Sequence, residues 1–249
     1  MQYAIVNNIK SQAQKGLKGI CTYCGAELIA KCGDKKINHW SHKGIRHCDL
    51  WWENETEWHR NWKNEFSNNW QEISLIDKST NEKHIADILT SQNLVIEFQN
   101  SPLNKQELKS RENFYRNLTW VVNGSRLENF YKRFAKGFGG KRFSNYEING
   151  IMQKDIFSIF SPDEIFPNEW LDSKTIVVFD FQDKAILNEN YNLINQLFYI
   201  IPENRTFRRS AIMVRISRTH FIEEIINGEW KNRLNRPLLN STNSLHSRK

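Results

Sequence analysis

Residues 84–100, HIADILT-SQN-LVIEFQN, decide how this chain folds. Two short runs rich in β-branched and aromatic side chains flank three polar residues, the pattern of two strands joined by a turn. In the second run, period-two geometry sets Val95, Glu97 and Gln99 on one face and Leu94, Ile96 and Phe98 on the other. A charged Glu97 in so apolar a strand is costly unless it faces a cleft or a cation. Asp87, between Ala86 and Ile88, poses the same problem. If Ser91, Gln92 and Asn93 loop out, Thr90 pairs with Leu94 and Asp87 falls opposite Glu97. Cross-strand partners have Cβ atoms about 4.5–5.5 Å apart, so the two carboxylates repel unless a divalent cation lies between them. Oxygen ligands of this kind suit Mg2+ or Mn2+, which polarises a scissile phosphate and helps generate an attacking hydroxide.

The flanking segments supply the rest of a small α/β unit. QEISLID (71–77) alternates as a third strand, preceded by a helical stretch over 53–70 in which Trp58, Trp62, Phe66 and Trp70 recur every four residues. Pro102 stops the strand that carries Glu97. Asn104 is an N-cap for a helix running to Tyr115 or Arg116, with Glu107 as its capping-box partner. LTWVVN (118–123) is a buried strand closed by Gly124, so the order is helix, three strands, helix, strand. On the first helix, Glu57 is a possible third carboxylate, and His59 and Lys63, one turn apart, share another face suited to phosphate.

Past residue 124 a basic helix over 125–136 leads into a cationic, glycine-rich loop, KGFGGKR (136–142). Strands are expected at 175–181, 196–201 and 210–217, a helix at 218–227, and a loose tail at 239–249. The aromatics of Phe130-Tyr-Lys-Arg-Phe134 are better used in core packing than in stacking on bases.

All four cysteines stand in the first fifth of the chain. Cys21-x2-Cys24 is a knuckle that brings two thiolates to one ion, and His39-x2-His42 and His47-Cys48 follow. Tetrahedral zinc takes four N or S ligands. One set is Cys21, Cys24, His39 and His42; the other, preferred because Cys48 sits where the segment joins the first helix, is Cys21, Cys24, one histidine and Cys48. Cys32 has no partner at ligand spacing and reads as a small buried residue. A structural Zn2+ would staple a segment, 11–50, too polar to bury much alone.

Bulk properties set the frame. Hydrophobic residues make up 39% and charged residues 25%, ordinary values for a folded protein. No apolar run approaches a membrane span, and Met1–Ile5 lack the charged n-region of a signal peptide, so a soluble cytoplasmic protein is expected. The net charge of +7 is unevenly spread. Residues 100–150 and 205–249 each hold ten Lys/Arg, against four and three Asp/Glu, and flank an acidic block. Such blocks suit a polyanionic partner.

Together, Cys21-x2-Cys24, His39-Trp-Ser-His42-Lys43, Glu57-Trp-His59, His84-Ile-Ala-Asp87 and Val95-Ile-Glu97-Phe-Gln99-Asn-Ser101-Pro102 resemble the competence protein CoiA-like family, and Arg111-x3-Tyr115 fits as well. The family's core is similar to the PD-(D/E)XK nuclease superfamily, whose αβββαβ order matches the reading above. The resemblance implies Asp87 and Glu97 as metal ligands, Glu57 as the acid from the first helix, and Gln99 where the superfamily usually has lysine. Gln99 cannot carry that charge, although its amide can position a water or a phosphate oxygen. Lys63, Lys105 or Lys109 would supply the charge from a helix, and Arg111 and Tyr115 would hold phosphate. The expected organisation is a zinc module over 1–50, a restriction-endonuclease-like α/β domain over 51–150 and a mixed α+β domain over 151–249. The implied activity is a Mg2+- or Mn2+-dependent deoxyribonuclease on single- or double-stranded DNA, in DNA uptake, recombination or anti-phage defence, with protein partners in such a complex. The rival is a non-catalytic module that binds nucleic acid or a partner protein on the same fold.

Overall fold

The computed structural model describes residues 1–44, 48–148, 150–182, 186–188, 191–192, 195–201 and 210–235. Its contacts divide this mixed α/β chain into two units, Met1–Ser91 and Gln92–Lys249.

In the first unit, β1 (Tyr3–Val6), β2 (Ile9–Gln12), β3 (Lys18–Ile20), β4 (Glu27–Gly33) and β5 (Lys36–His42) form a five-stranded sheet in the order β2-β1-β3-β4-β5. These strands are short and interrupted by Lys and Gly, which hides their alternation in the sequence. Their core is correspondingly small: Met1, Ala4, Ala13, Cys21, Leu28 and Trp40, with Cys32 and Cys48 packed partly against it. Polar ties make up the difference. Glu72 accepts from the backbone N–H of Gln2 (2.7 Å) and Tyr3 (3.0 Å), and the Tyr23 hydroxyl donates to the Lys83 carbonyl at 2.7 Å.

Helix α1 (Glu57–Asn64) is shorter than its aromatic stripe. Thr56 caps its start by accepting from the His59 N–H at 3.3 Å, and a separate 3-10 turn, capped by Ser67, covers Asn68–Trp70. Trp62 and Phe66 are buried as the stripe requires. Strands β6 (Gln71–Ile76) and β7 (Lys83–Leu89) follow and pair antiparallel; the Gln71↔Ile88 and Ile73↔Ala86 pairs bracket Glu72 and Asp87.

The second unit begins with β8 (Val95–Gln99), α2 (Lys105–Tyr115) and β9 (Leu118–Asn123). Strands β8 and β9 run parallel, with Glu97 opposite Trp120, so α2 is the crossover that parallel pairing demands. All five β8 residues are buried, the signature of a strand covered on both faces. Asn104 caps α2 as expected, accepting from Gln106 N (3.0 Å) and Glu107 N (2.9 Å). The capping box does not close as read, because the Glu107 carboxylate turns instead to Arg111 at 2.5 Å.

Further along come α3 (Glu128–Phe138), β10 (Phe143–Ile148), β11 (Ile151–Phe160), α4 (Asn168–Leu171), β12 (Val177–Asp180), β13 (Ile186–Asn188), β14 (Tyr191–Asn192), β15 (Gln196–Ile200), β16 (Ser210–Ser217), α5 (Arg218–Asn227) and α6 (Trp230–Asn235). The sheet of this unit runs β10-β11-β16-β15-β12-β9-β8, with β12 parallel to β9 and the remaining neighbours beyond β12 antiparallel. The strands past residue 150 thus continue the sheet that carries Glu97.

The core here is aromatic. Phe130, Phe134 and Phe138 of α3 are buried, and Phe134 stacks on Phe181 with ring centroids 4.1 Å apart. Gly124 is required where β9 ends, since a Cβ there would lie 2.5 Å from the Phe181 ring. The strands expected at 175–181, 196–201 and 210–217 and the helix at 218–227 are present. The β10–β11 hairpin had not been legible, because Asn, Glu, Lys and Asp fill its exposed positions. The tail at 239–249 lies outside the described residues. No described helix is long and apolar enough to cross a membrane.

Candidate metal centres

Cys21, Cys24, His42 and Cys48 bring their ligand atoms within 4.8 Å of one another. Tetrahedral zinc, with Zn–S near 2.3 Å and Zn–N near 2.0–2.1 Å, implies ligand–ligand edges of roughly 3.5–3.8 Å. Cys21 Sγ and Cys48 Sγ lie 3.7 Å apart, and Cys24 Sγ and His42 Nε2 lie 3.3 Å apart. The donor set fits zinc.

The knuckle forms because Gly25 takes a left-handed φ of +75°, letting its N–H reach the Cys21 carbonyl at 3.0 Å. In β5 the pleat decides between the histidines. His39 and His42 have opposite parity, so one faces the cysteines and the other does not; His39 Nδ1 sits 2.9 Å from the Ile37 carbonyl oxygen. Of the two ligand sets left open by the sequence, the structure assembles the one that includes Cys48. His47 lies outside the described residues. The Cys48 thiol, donating to Cys21, favours the Cys21 thiolate and with backbone N–H groups brings its pKa down to about 4 against the effect of burial.

Asp49, next to the ligand Cys48, anchors this cluster to β7. Its carboxylate meets His84 Nδ1 at 2.8 Å and accepts from Ile85 N at 2.8 Å, while Trp51 stacks on the His84 ring. A cleft of about 830 Å3 runs beside the module, and His39, Lys35, Lys36, Trp52 and Glu57 are among its lining residues.

The carboxylate strands are built differently. In the first unit, α1 and β7 bring His59, Lys63 and Asp87 together. His59 Nε2 lies 2.9 Å from Asp87 Oδ1, with both side chains largely buried. Lys63, expected to face phosphate, is only 2% exposed and bonds Glu55 at 2.6 Å and Glu72 at 2.8 Å. Burial disfavours its charge, but Glu72, Glu55 and Asp87 outweigh this and hold its pKa above the usual lysine value. Glu55 is further held by Arg60 at 2.6 Å. Despite burial, Lys63 keeps both Glu55 and Glu72 below the ordinary carboxylate range. Glu57 does not join this group: it is exposed and lines the cleft beside His39.

In the second unit Glu97 is 5% exposed, and Arg111 Nη1 of α2 approaches its Oε2 at 3.3 Å. Arg111 also binds Glu107 and lies over the Trp120 ring, 5.9 Å from its centroid. Gln99 is buried and donates from Nε2 to the Ser101 carbonyl at 2.9 Å and to Ser101 Oγ at 3.2 Å. Tyr115, one turn from Arg111, is buried. Among the other helix cations proposed for phosphate, Lys105 pairs with Asp172 at 2.5 Å, and Lys109 is exposed.

The sequence reading missed Glu55, Glu72 and Asp49. Glu72 carried a usable signal, since it interrupts an apolar strand just as Asp87 does; Glu55 and Asp49 precede regular elements and gave none.

Two family models match the chain. One, described as competence protein CoiA, N-terminal domain, covers residues 6–50. The other, competence protein CoiA, nuclease-like domain, covers residues 55–164. No curated protein and no solved structure matches.

Proposed function

The chain belongs to the competence protein CoiA-like family, and from that premise we propose that it is a metal-dependent deoxyribonuclease with a PD-(D/E)XK-type core. Asp87 and Glu97, carboxylates of strands consecutive in the sequence, would hold the divalent ion, Mg2+ or Mn2+. The observation that carries the reading is Glu97 itself: an acid buried in a strand otherwise apolar but for Gln99, with an arginine held against it.

The donor chemistry fits, since hard carboxylate oxygens suit Mg2+ and Mn2+ as thiolates suit zinc. When bound, such an ion polarises the scissile phosphate and makes a hydroxide available near neutral pH. His59 and Arg111 act on the carboxylates rather than on substrate. Each holds one acid by a charge-assisted contact, the support that orients a ligand and tunes its basicity. The side-chain amide of Gln99, tied to Ser101, orients water or a phosphate oxygen. Lys63 offsets the carboxylates around Asp87 and takes no part in phosphate binding. The Zn2+ module folds the first unit and supplies DNA contacts, and DNA uptake, recombination or defence is the setting.

Replacing Glu97 with Ala is expected to abolish cleavage of supercoiled plasmid, linear duplex and single strands in Mn2+ while leaving the far-ultraviolet circular dichroism unchanged; unaltered cleavage overturns the assignment. One observation favours the non-catalytic alternative: Gln99 brings no charge to the site, and its amide already donates to Ser101. Wild-type protein that binds DNA without cutting any of the three substrates would decide for that reading.

A further inference from the structure

Helix α3 presents two faces of opposite chemistry. Phe130, Phe134 and Phe138 are buried, and Gly137 lets the helix approach Ile165 and Phe143 so closely that a Cβ there would lie 2.8–2.9 Å from them. The helix is therefore pinned. Its other face and the loop after it carry Arg133, Lys136, Lys141 and Arg142 around one hollow of about 560 Å3, with Glu164 as its acid. Glu164 pairs with Arg142. Among the described residues Arg133, Lys136 and Lys141 form no ion pair, whereas Lys132, on the same helix, is paired with Glu128 at 2.7 Å. The hollow thus gathers four cations against one acid, and a polyanion relieves their mutual repulsion while releasing its own condensed counterions.

We propose that this hollow binds the phosphate backbone of double-stranded DNA, a docking site for the substrate whose lining includes neither Asp87 nor Glu97. The inference rests on the nuclease reading for its biological use but not for its physical test. Duplex is favoured over single strand by the fate of the aromatic rings. Single-strand sites stack bases on exposed rings, and here the phenylalanines of α3 point into the core, leaving a cationic hollow with no stacking platform. Such contacts read backbone, not sequence.

The test is equilibrium binding of a fluorescent 20-base-pair duplex and of the same single strand, with zinc-loaded protein in excess EDTA-free buffer lacking Mg2+ and Mn2+. The variant Arg133→Ala/Lys136→Ala/Lys141→Ala removes about three phosphate contacts. It is expected to weaken duplex binding roughly tenfold or more and to lower the slope of log K against log salt by about 3, at near 0.9 per contact. The charge-keeping variant Arg133→Lys/Lys136→Arg/Lys141→Arg should bind like wild type. Unchanged affinity and slope in the alanine variant overturn the proposal, as does an equal loss for duplex and single strand, or a wild type that binds neither. Because no cleavage is involved, loss of duplex binding in this variant supports the hollow even if Glu97→Ala shows that the nuclease reading fails.

Discussion

The two units hold themselves together by opposite means. Around its five-stranded sheet the first has, among the described residues, a small core cluster that includes two alanines, and depends on polar ties: a Cys3His cluster, Asp49 on His84, and Lys63 between Glu55 and Glu72. The second packs phenylalanines from α3, β12 and β15 around one another. A small sheet that cannot bury enough apolar surface needs staples, and staples fail all at once when a partner is removed. Aromatic cores fail in proportion to the volume lost.

The largest expected effect follows from removing zinc. Chelation, or Cys21→Ser, should strip hydrogen-exchange protection from peptides within 1–44 while those within 118–138 keep theirs. Zinc-finger peptides gain about 10–16 kcal/mol from their ion, ample to unfold a module this small. Equal loss in both regions would break the contrast. Next, Lys63→Ala leaves two buried carboxylates uncompensated and should cost about 3–5 kcal/mol. Phe134→Ala should cost a similar 3–5 kcal/mol, in thermal melts, by leaving a cavity in the second unit.

Acid separates the same pair more gently. Glu55 and Glu72 have folded-state pKa values below the ordinary glutamate value of 4.5, so the stability they contribute is present above that pH and is lost as pH falls through their folded values. Protection of β6 should therefore drop below about pH 4.5 sooner than that of β12, read by exchange at a series of pH values. The smallest effect is a control. Thr56→Ala and Asn104→Ala each remove one helix N-cap, one per unit, and should each cost about 1 kcal/mol.

How legible this was depended on how local the cause is. The helix, three strands, helix, strand order was readable because β7, β8 and β9 are short apolar runs with clear breaks, and Asn104 marks its helix start. The five-stranded N-terminal sheet was not, since its strands of three to seven residues carry no sustained alternation and their pairing is long-range. At the zinc site, spacing gave the candidate ligands, but only the pleat of β5 chose His42. At the carboxylate strands, the acids stood out by interrupting apolar runs. What the sequence hid was the buried cation. His59 and Lys63 were correctly assigned to one helical face, but nothing local revealed that this face turns toward Asp87, Glu55 and Glu72 and away from solvent.

The proposed hard-metal centre is tested most directly by titrating zinc-loaded protein with Mn2+ and counting bound ion by electron paramagnetic resonance. Wild type should bind one Mn2+ per chain at a site that Asp87→Asn and Glu97→Gln each abolish while zinc content stays constant. Equal Mn2+ binding in wild type and both variants would contradict it.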